Sequence, residues 1–221
     1  MTQQHACVIF DLDGTLVETE QIWGAVRRAF VESHGGRWRE DAQRTMIGMR
    51  TSEWAGYIHH SLVVKMSPDE IAHAVVHDMV DRLKHPPVLP GAQEALEELS
   101  GSFRLGLATS ASLPVATAIL DSTGWRRFFE VVVSADEVDR GKPAPDVYLR
   151  ALNAMGADVS NTAAVEDSAN GIRSAHAARL AVIAVPNREF RPDDGALALA
   201  SCVIPDLTAL HVSTVRGVLA H

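Results

Sequence analysis

The chain has 221 residues, of which 47% are hydrophobic and 22% are charged, and its formal net charge at pH 7 is −8. This apolar content is ample for a folded core, and the length suits one domain or a domain with a smaller second one. The negative charge argues against nucleic acid or an anionic membrane as the main partner, and no run reaches the roughly 18 apolar residues of a membrane helix.

The two cysteines, Cys7 and Cys202, fall in short apolar runs and are not spaced as a CxxC pair. This usage predicts two reduced core thiols and a cytoplasmic protein. The first residues, MTQQHACVIF, show no basic segment followed by a long apolar one, so no signal peptide is expected.

The first predicted element is a strand over residues 7–10, where the sequence CVIF is apolar throughout. Such a run is typical of a fully buried central strand in a parallel sheet. Asp11 and Asp13 follow it, and because side chains alternate along an extended chain, both carboxylates lie on the same side. Two carboxylates close together repel each other, so their pairing indicates a metal ion, a shared proton or chemistry.

Residues 18–85 are predicted to be helical, without a convincing strand. One of these helices begins after Ser67, which forms a capping box with Glu70. The proline-rich sequence KHPPVLPG then reads as a stiff linker. We therefore predict a helical cap domain over residues 18–85, inserted into a core that comprises residues 1–17 and 86–221.

After the linker, short apolar runs alternate with helical patterns. The predicted strands are residues 103–110, 129–134, 162–167, 180–185 and 202–205, and the predicted helices are residues 91–100, 114–124, 145–156 and 169–178. This alternation predicts an α/β fold, a doubly wound parallel sheet with helices on both faces. Ligands bind beyond the carboxyl ends of the strands in such sheets, so chemistry is expected there.

The predicted strand ends carry side chains that suit phosphoryl transfer. Besides the two aspartates, they are Thr109, Ser110, Lys142, Glu166, Asp167 and Ser168. Paired carboxylates suit Mg²⁺, which prefers oxygen ligands, while hydroxyls, a lysine and a helix N-terminus suit a phosphoryl group. Asp11 would attack phosphorus and form an aspartyl phosphate, and Asp13 would act as general acid and then as base. Thr109 and Lys142 would hold the phosphoryl oxygens.

The motifs DLDGTL, LATS, GKPAPDVY and VEDSANGI resemble, in order and spacing, those of the haloacid dehalogenase superfamily of phosphohydrolases. The resemblance spans residues 8–172 and implies a Rossmann-like core. It also implies that residues 18–85 are the helical cap of the subgroup holding beta-phosphoglucomutase and small sugar-phosphate phosphatases. The implied Mg²⁺ ligands are the Asp11 carboxylate, the Asp13 backbone carbonyl and the Asp167 carboxylate, with Glu166 orienting a metal-bound water.

Three assignments have alternatives. Strand register favours Thr109 as the phosphate ligand of the second motif, and the adjacent Ser110 is the other choice or shares the role. Arg50, in a cap loop that faces the active site in this subgroup, is either a substrate-binding cation or a surface arginine. Trp23 and Trp54 either belong to the core of the cap or line the pocket.

The resemblance implies a Mg²⁺-dependent phosphatase acting on a small phosphorylated metabolite of the sugar- or polyol-phosphate class. A monomer is expected. The alternative is a phosphomutase of the beta-phosphoglucomutase type, which needs a second phosphate-binding set. In that subgroup a lysine and an asparagine follow the second motif, and a histidine lies in the first cap helix. Here Leu113 and Pro114 follow the motif, and Trp23 lies about where the histidine would fall. The phosphatase is therefore preferred.

Overall fold

The computed structural model describes residues 6–187 and 189–220. Its strands are β1 (Cys7–Phe10), β2 (Arg104–Thr109), β3 (Phe129–Ser134), β4 (Thr162–Glu166), β5 (Ala181–Ala184) and β6 (Cys202–Val203). These six strands form one sheet in the order β3-β2-β1-β4-β5-β6, and all neighbouring pairs are parallel. The predicted α/β fold is confirmed, and each predicted strand is present.

The α-helices within these residues are α1 (Glu20–Ser33), α2 (Ala42–Met46), α3 (Thr51–Ser61), α4 (Pro68–Arg82), α5 (Ala92–Ser100), α6 (Leu113–Thr123), α7 (Asp146–Met155), α8 (Ala169–Ala177), α9 (Asp194–Leu197) and α10 (Val212–Leu219). Single 3₁₀ turns occupy Trp125–Phe128, Ala135–Glu137, Val159–Asn161 and Leu207–Ala209. Helix α2 lies within residues 18–85, predicted to be helical, but was not identified as a separate helix, and α9 and α10 were not predicted. Helices α2 and α9 are too short for a periodic pattern, and α10 is rich in β-branched residues, which favour strands. In the part of the chain described, no helix is both long and apolar enough to cross a membrane.

Strand β1 lies at the centre of the sheet and is buried on both faces. Val8 and Phe10 belong to one apolar cluster, which also contains residues of α5, α6 and α10, while Cys7 and Ile9 belong to another, with residues of α7 and α8. Cys7 is thus a core residue as predicted, whereas Cys202 is only half-buried. Because β1 lies between β2 and β4, the carboxyl ends of these three strands meet at one edge of the sheet.

The chain between β1 and β2 forms α1 to α4 before it reaches α5. In α4 the buried residues Ile71, Val75 and Met79 recur every fourth position, so one face of the helix packs on α1 and α3. The predicted capping box is present: the Glu70 N–H donates to the Ser67 hydroxyl at 3.3 Å, and the Ser67 N–H donates to the Glu70 carboxylate at 2.9 Å.

The segments that enter and leave this helical part run side by side. Val17 and Val88 form an antiparallel bridge. The Glu18 N–H donates to the Pro87 carbonyl oxygen at 2.8 Å, and the Leu89 N–H donates to the carbonyl oxygen of Leu16 at 3.0 Å. These paired segments lie beside the predicted domain boundaries, 17/18 and 85/86, which stay a prediction.

Candidate active site

The turn after β1 brings the first motif against the fourth. Gly14 has a φ of +85°, which glycine adopts without steric cost. A Cβ at this position would lie 2.2 Å from Oδ2 of Asp167. The Thr15 hydroxyl donates to Asp167 Oδ1 at 3.0 Å, so Thr15 ties the turn to the end of β4.

Lys142 is the centre of a buried ion cluster. Its Nζ donates to Asp11 Oδ1 at 2.5 Å, to Glu166 Oε1 at 2.6 Å and to the Ala108 carbonyl oxygen at 3.1 Å. The three charged side chains are at most 8% exposed. The Tyr148 hydroxyl also donates to Glu166 Oε1, at 2.7 Å. The loop before α7 therefore places its lysine between β1 and β4, where it fixes the position of Asp11.

Carboxyl groups outnumber cationic groups in this cluster. Asp11, Glu166 and Asp167 each offer an oxygen within 4.8 Å of the others. Burial raises the pKa of Asp11 to about 8, with Lys142 opposing the shift. Burial and the charges of Asp11 and Glu166 raise the pKa of Asp167 well above its usual range. Burial lowers the pKa of Lys142, but the carboxylates outweigh it, and the net shift is upward. Clustered carboxyl oxygens are suited to a divalent cation, whose charge would stabilise the ionised forms.

The Asp13 carboxylate has a different set of partners from that of Asp11. Its Oδ1 accepts hydrogen bonds from the Thr19 hydroxyl and, at 3.4 Å, from Trp23 Nε1. Its Oδ2 accepts from the Thr109 hydroxyl at 3.4 Å. Burial raises the pKa of Asp13, and these hydrogen bonds oppose the rise. Two neighbouring carboxylates in different environments can perform different tasks, one as nucleophile and the other as acid.

The two hydroxyls of the second motif differ in their partners. Thr109 Oγ1 accepts a hydrogen bond from the Ala111 N–H at 3.0 Å and donates to Asp13. Ser110 Oγ is buried and has no hydrogen-bond partner among the described residues. Both residues line the same cavity. The Ser110 hydroxyl is therefore available to a ligand, whereas that of Thr109 is already engaged.

Asp11, Asp13, Lys142 and Asp167 face one cavity between the sheet edge and the helical part. The sheet side contributes Asp11, Asp13, Thr109, Ser110, Ala111, Lys142, Asp167 and Ser168, and the helical part contributes Glu20, Trp23, Arg27, Met46, Ile47, Gly48, Met49 and Trp54. The cavity is narrow, with a volume of about 40 Å³.

Trp23 and Trp54 fit both of the alternatives drawn from the sequence. Each is at most 5% exposed, and each also lines the cavity. The guanidinium of Arg27, which sequence analysis did not single out, lies over both rings, 4.4 and 4.9 Å from their centroids. The sequence pattern that could have identified Arg27 is its i, i+4 spacing from Trp23 on α1, which places the two side chains on one helix face.

Arg50 lies away from this cavity. Its Nη1 donates to the Val138 carbonyl oxygen at 2.9 Å, and its Nε lies 3.5 Å from a carboxylate oxygen of Glu53. The next residue, Thr51, donates from its hydroxyl to Asp136 at 2.8 Å. Arg50 thus joins the helical part to the loop after β3. The structure does not bring it to the catalytic groups, and its role as a substrate-binding cation stays a prediction.

Gly171, in the first turn of α8, makes room for the Glu166 side chain. A Cβ here would lie 1.9–2.0 Å from the Glu166 carboxylate atoms. Gly171→Ala should displace this buried carboxylate and break its ion pair with Lys142. We expect loss of activity and a free energy of unfolding lower by about 1–3 kcal/mol, as for other overpacked cores, measured by urea unfolding.

Gly217→Ala is the matched control, because Gly217 also lies within a helix and its Cβ would meet nothing within 4 Å. Alanine there should raise the free energy of unfolding by about 0.5–1 kcal/mol. If the Gly171→Ala protein were as stable and active as the parent, the position of the Glu166 carboxylate would not depend on the absence of a side chain at residue 171.

The fold and the site together define a class of enzyme. The central strand of the parallel sheet ends in two aspartates, and a buried lysine and two more carboxylates lie beside them. This arrangement is that of a phosphohydrolase. The family model for haloacid dehalogenase-like hydrolases matches residues 8–185. The chain belongs to this family.

Known proteins resemble the chain over most of its length. The phosphorylated carbohydrates phosphatase of Thermotoga maritima is 32% identical over 174 residues, 77% of this chain and 80% of that protein. The bifunctional riboflavin kinase/FMN phosphatase of Arabidopsis thaliana is 30% identical over 187 residues, 82% of this chain but 48% of that protein. The crystal structure of CbbY from Rhodobacter sphaeroides in complex with phosphate superposes with a TM-score of 0.87 at 26% identity, covering 96% of this chain and 99% of that one.

Proposed function

We propose that the chain is a Mg²⁺-dependent phosphatase that hydrolyses a small sugar or polyol phosphate through an aspartyl phosphate on Asp11. The observation that carries the proposal is the division of partners at the sheet edge. Lys142 fixes Asp11, while hydroxyl and indole groups hold Asp13 beside it, and both carboxylates face one cavity. The similarity to a phosphorylated carbohydrates phosphatase supports the substrate class.

The proposed reaction has two steps. Asp11 attacks phosphorus in line with the ester oxygen, and the bond from phosphorus to that oxygen breaks. The raised pKa of Asp13 favours its protonated form, so Asp13 can give a proton to the departing oxygen. Asp13 then accepts a proton from the water that hydrolyses the aspartyl phosphate. The Ser110 hydroxyl donates a hydrogen bond to a phosphoryl oxygen, and Lys142 and Thr109 would each exchange a present partner for a phosphoryl oxygen.

The carboxylates of Asp11 and Asp167 and the backbone carbonyl of Asp13 are the proposed Mg²⁺ ligands. Glu166 lies beside them and holds Lys142 through a 2.6 Å hydrogen bond, and its proposed further role is to orient a metal-bound water. When bound, Mg²⁺ offsets the negative charge shared by the carboxylates and the phosphoryl group.

The size of the cavity supports a moving cap over residues 18–85. The cavity between the sheet edge and the helical part is narrow, about 40 Å³, and movement of the helices away from the sheet would widen it for a sugar phosphate. The proposed hinge is the pair of segments joined at Val17 and Val88. Closure over the bound ester would exclude bulk water during cleavage.

We also propose that the protein is a cytoplasmic monomer, in which Cys7 and Cys202 are reduced thiols.

At the positions that would bind a second phosphate in a mutase, this chain has no side chain suited to that role. Leu113 begins α6 with 44% of its surface exposed, and it has no charge to offer a phosphate. Trp23 directs its N–H at Asp13 instead. A phosphoryl group on Asp11 would therefore pass to water.

The proposed function is tested by phosphate release from sugar and polyol monophosphates. We expect turnover with Mg²⁺, none after chelation with EDTA, and inhibition by Ca²⁺, which takes about 6–8 ligands and could engage both oxygens of Asp11. Turnover that survives exhaustive chelation would contradict the metal requirement. Conversion of beta-glucose 1-phosphate to glucose 6-phosphate faster than hydrolysis of any ester would favour the mutase.

A further inference from the structure

Helix α1 presents an acidic and a basic side chain to the catalytic cavity, and the proposed reaction uses neither. Glu20 and Arg27 are 9% and 4% exposed, and both line the cavity. Glu20 Oε2 and Arg27 Nε are buried and have no hydrogen-bond partner within the described chain. A buried polar atom without a partner is costly, so these two atoms indicate a ligand that would satisfy them.

The positions of Glu20 and Arg27 indicate that they contact the leaving group of the substrate. Trp23, on the same helix, donates to Asp13, which is the proposed proton donor to the leaving oxygen. In the proposed reaction, a carbon chain attached to that oxygen would extend from Asp13 toward α1. On that side the cavity is lined by the rings of Trp23 and Trp54, with the Arg27 guanidinium lying over both.

We propose that Glu20 and Arg27 bind neighbouring hydroxyl groups on the uncharged part of the substrate and so select sugar and polyol monophosphates. This inference rests on the proposed function. A hydroxyl group accepts a hydrogen bond from a guanidinium and donates one to a carboxylate, so a pair of hydroxyls satisfies both side chains. The indole rings pack against the carbon chain between them.

A second phosphate or a carboxylate on the substrate fits this subsite less well. Either anion would pair with Arg27 but would also face Glu20, and repulsion between like charges disfavours it. Burial lowers the pKa of Arg27 to about 10, so the guanidinium stays protonated at neutral pH. Burial raises the pKa of Glu20 to about 7, and both of its protonation states hydrogen-bond to a hydroxyl.

The test compares two esters in the Arg27→Gln and Glu20→Gln proteins. Sorbitol 6-phosphate carries hydroxyls along its chain, and p-nitrophenyl phosphate has none. For sorbitol 6-phosphate we expect kcat/KM to fall about 10- to 100-fold in each variant, mainly through KM, as for the loss of a hydrogen bond to a charged group. For p-nitrophenyl phosphate, which offers no hydroxyl to either side chain, the fall in kcat/KM should be several-fold smaller. Arg28→Gln is the matched control, because Arg28 is exposed on the same helix and pairs with Glu32.

Each other result would overturn the proposal. Unchanged kinetics on sorbitol 6-phosphate would exclude contact with the hydroxyls, and an equal fall on both esters would assign the pair a structural role. A wild-type preference for fructose 1,6-bisphosphate over fructose 1-phosphate would make the subsite an anion site. Absence of turnover on every ester, p-nitrophenyl phosphate included, would contradict the proposed function itself. If Arg27→Gln does not fold, the isosteric Glu20→Gln carries the same comparison.

Discussion

Asp11→Asn should reduce phosphate release to background and prevent formation of an acid-labile phosphoenzyme. The amide nitrogen that replaces one carboxylate oxygen is not a nucleophile toward phosphorus, so the first step is lost. The fold should persist, because the amide oxygen can still accept the hydrogen bond from Lys142. The measurement is single-turnover reaction with a ³²P-labelled ester, followed by acid quench and detection of label on the protein.

Asp121→Asn is the control for this experiment. Asp121 lies on the exposed side of α6, so the same change in charge is made away from the cavity. The control should keep both turnover and the labelled intermediate. If Asp11→Asn retained the label and turned over at the rate of Asp121→Asn, Asp11 would not be the nucleophile.

The groups at the sheet edge could be predicted because they follow from local patterns. The apolar run before Asp11 predicts a buried strand, and the alternation of strands and helices predicts that such strands are parallel. Parallel strands share one carboxyl edge, so residues far apart in the chain, such as Asp11 and Asp167, are expected to meet there. The 4.8 Å grouping of Asp11, Glu166 and Asp167 agrees with that expectation.

The helical side of the cavity could not be predicted in the same way. Its groups depend on how α1 lies against the sheet, which no local pattern records. Arg27 and Arg50 are both arginines in the helical part, yet packing buries Arg27 over two indole rings and turns Arg50 to the Val138 carbonyl. Gly171 belonged to a recognised motif, but its role appears only when the Glu166 side chain is in place.

Asp13→Asn should separate the two steps of the reaction. For sorbitol 6-phosphate, whose alkoxide needs a proton to leave, loss of the acid should slow formation of the phosphoenzyme by about 10²–10⁴, the usual worth of general acid–base catalysis. p-Nitrophenolate is a weak base and leaves without protonation, so formation of the phosphoenzyme from its ester should be little affected. Hydrolysis of the intermediate should still be slow, because the attacking water has lost its base.

The expected observation is therefore a burst. Stopped-flow absorbance should show rapid release of about one nitrophenolate per active site and then slow turnover, as when a covalent intermediate accumulates. Sorbitol 6-phosphate should give no burst of sorbitol. Thr19→Val is the companion variant, since it removes a hydrogen bond to Asp13 but leaves the carboxylate in place. It should retain a substantial part of the turnover on both esters. If Asp13→Asn instead slowed the first step equally for both, Asp13 would act by holding the site together and not by moving a proton.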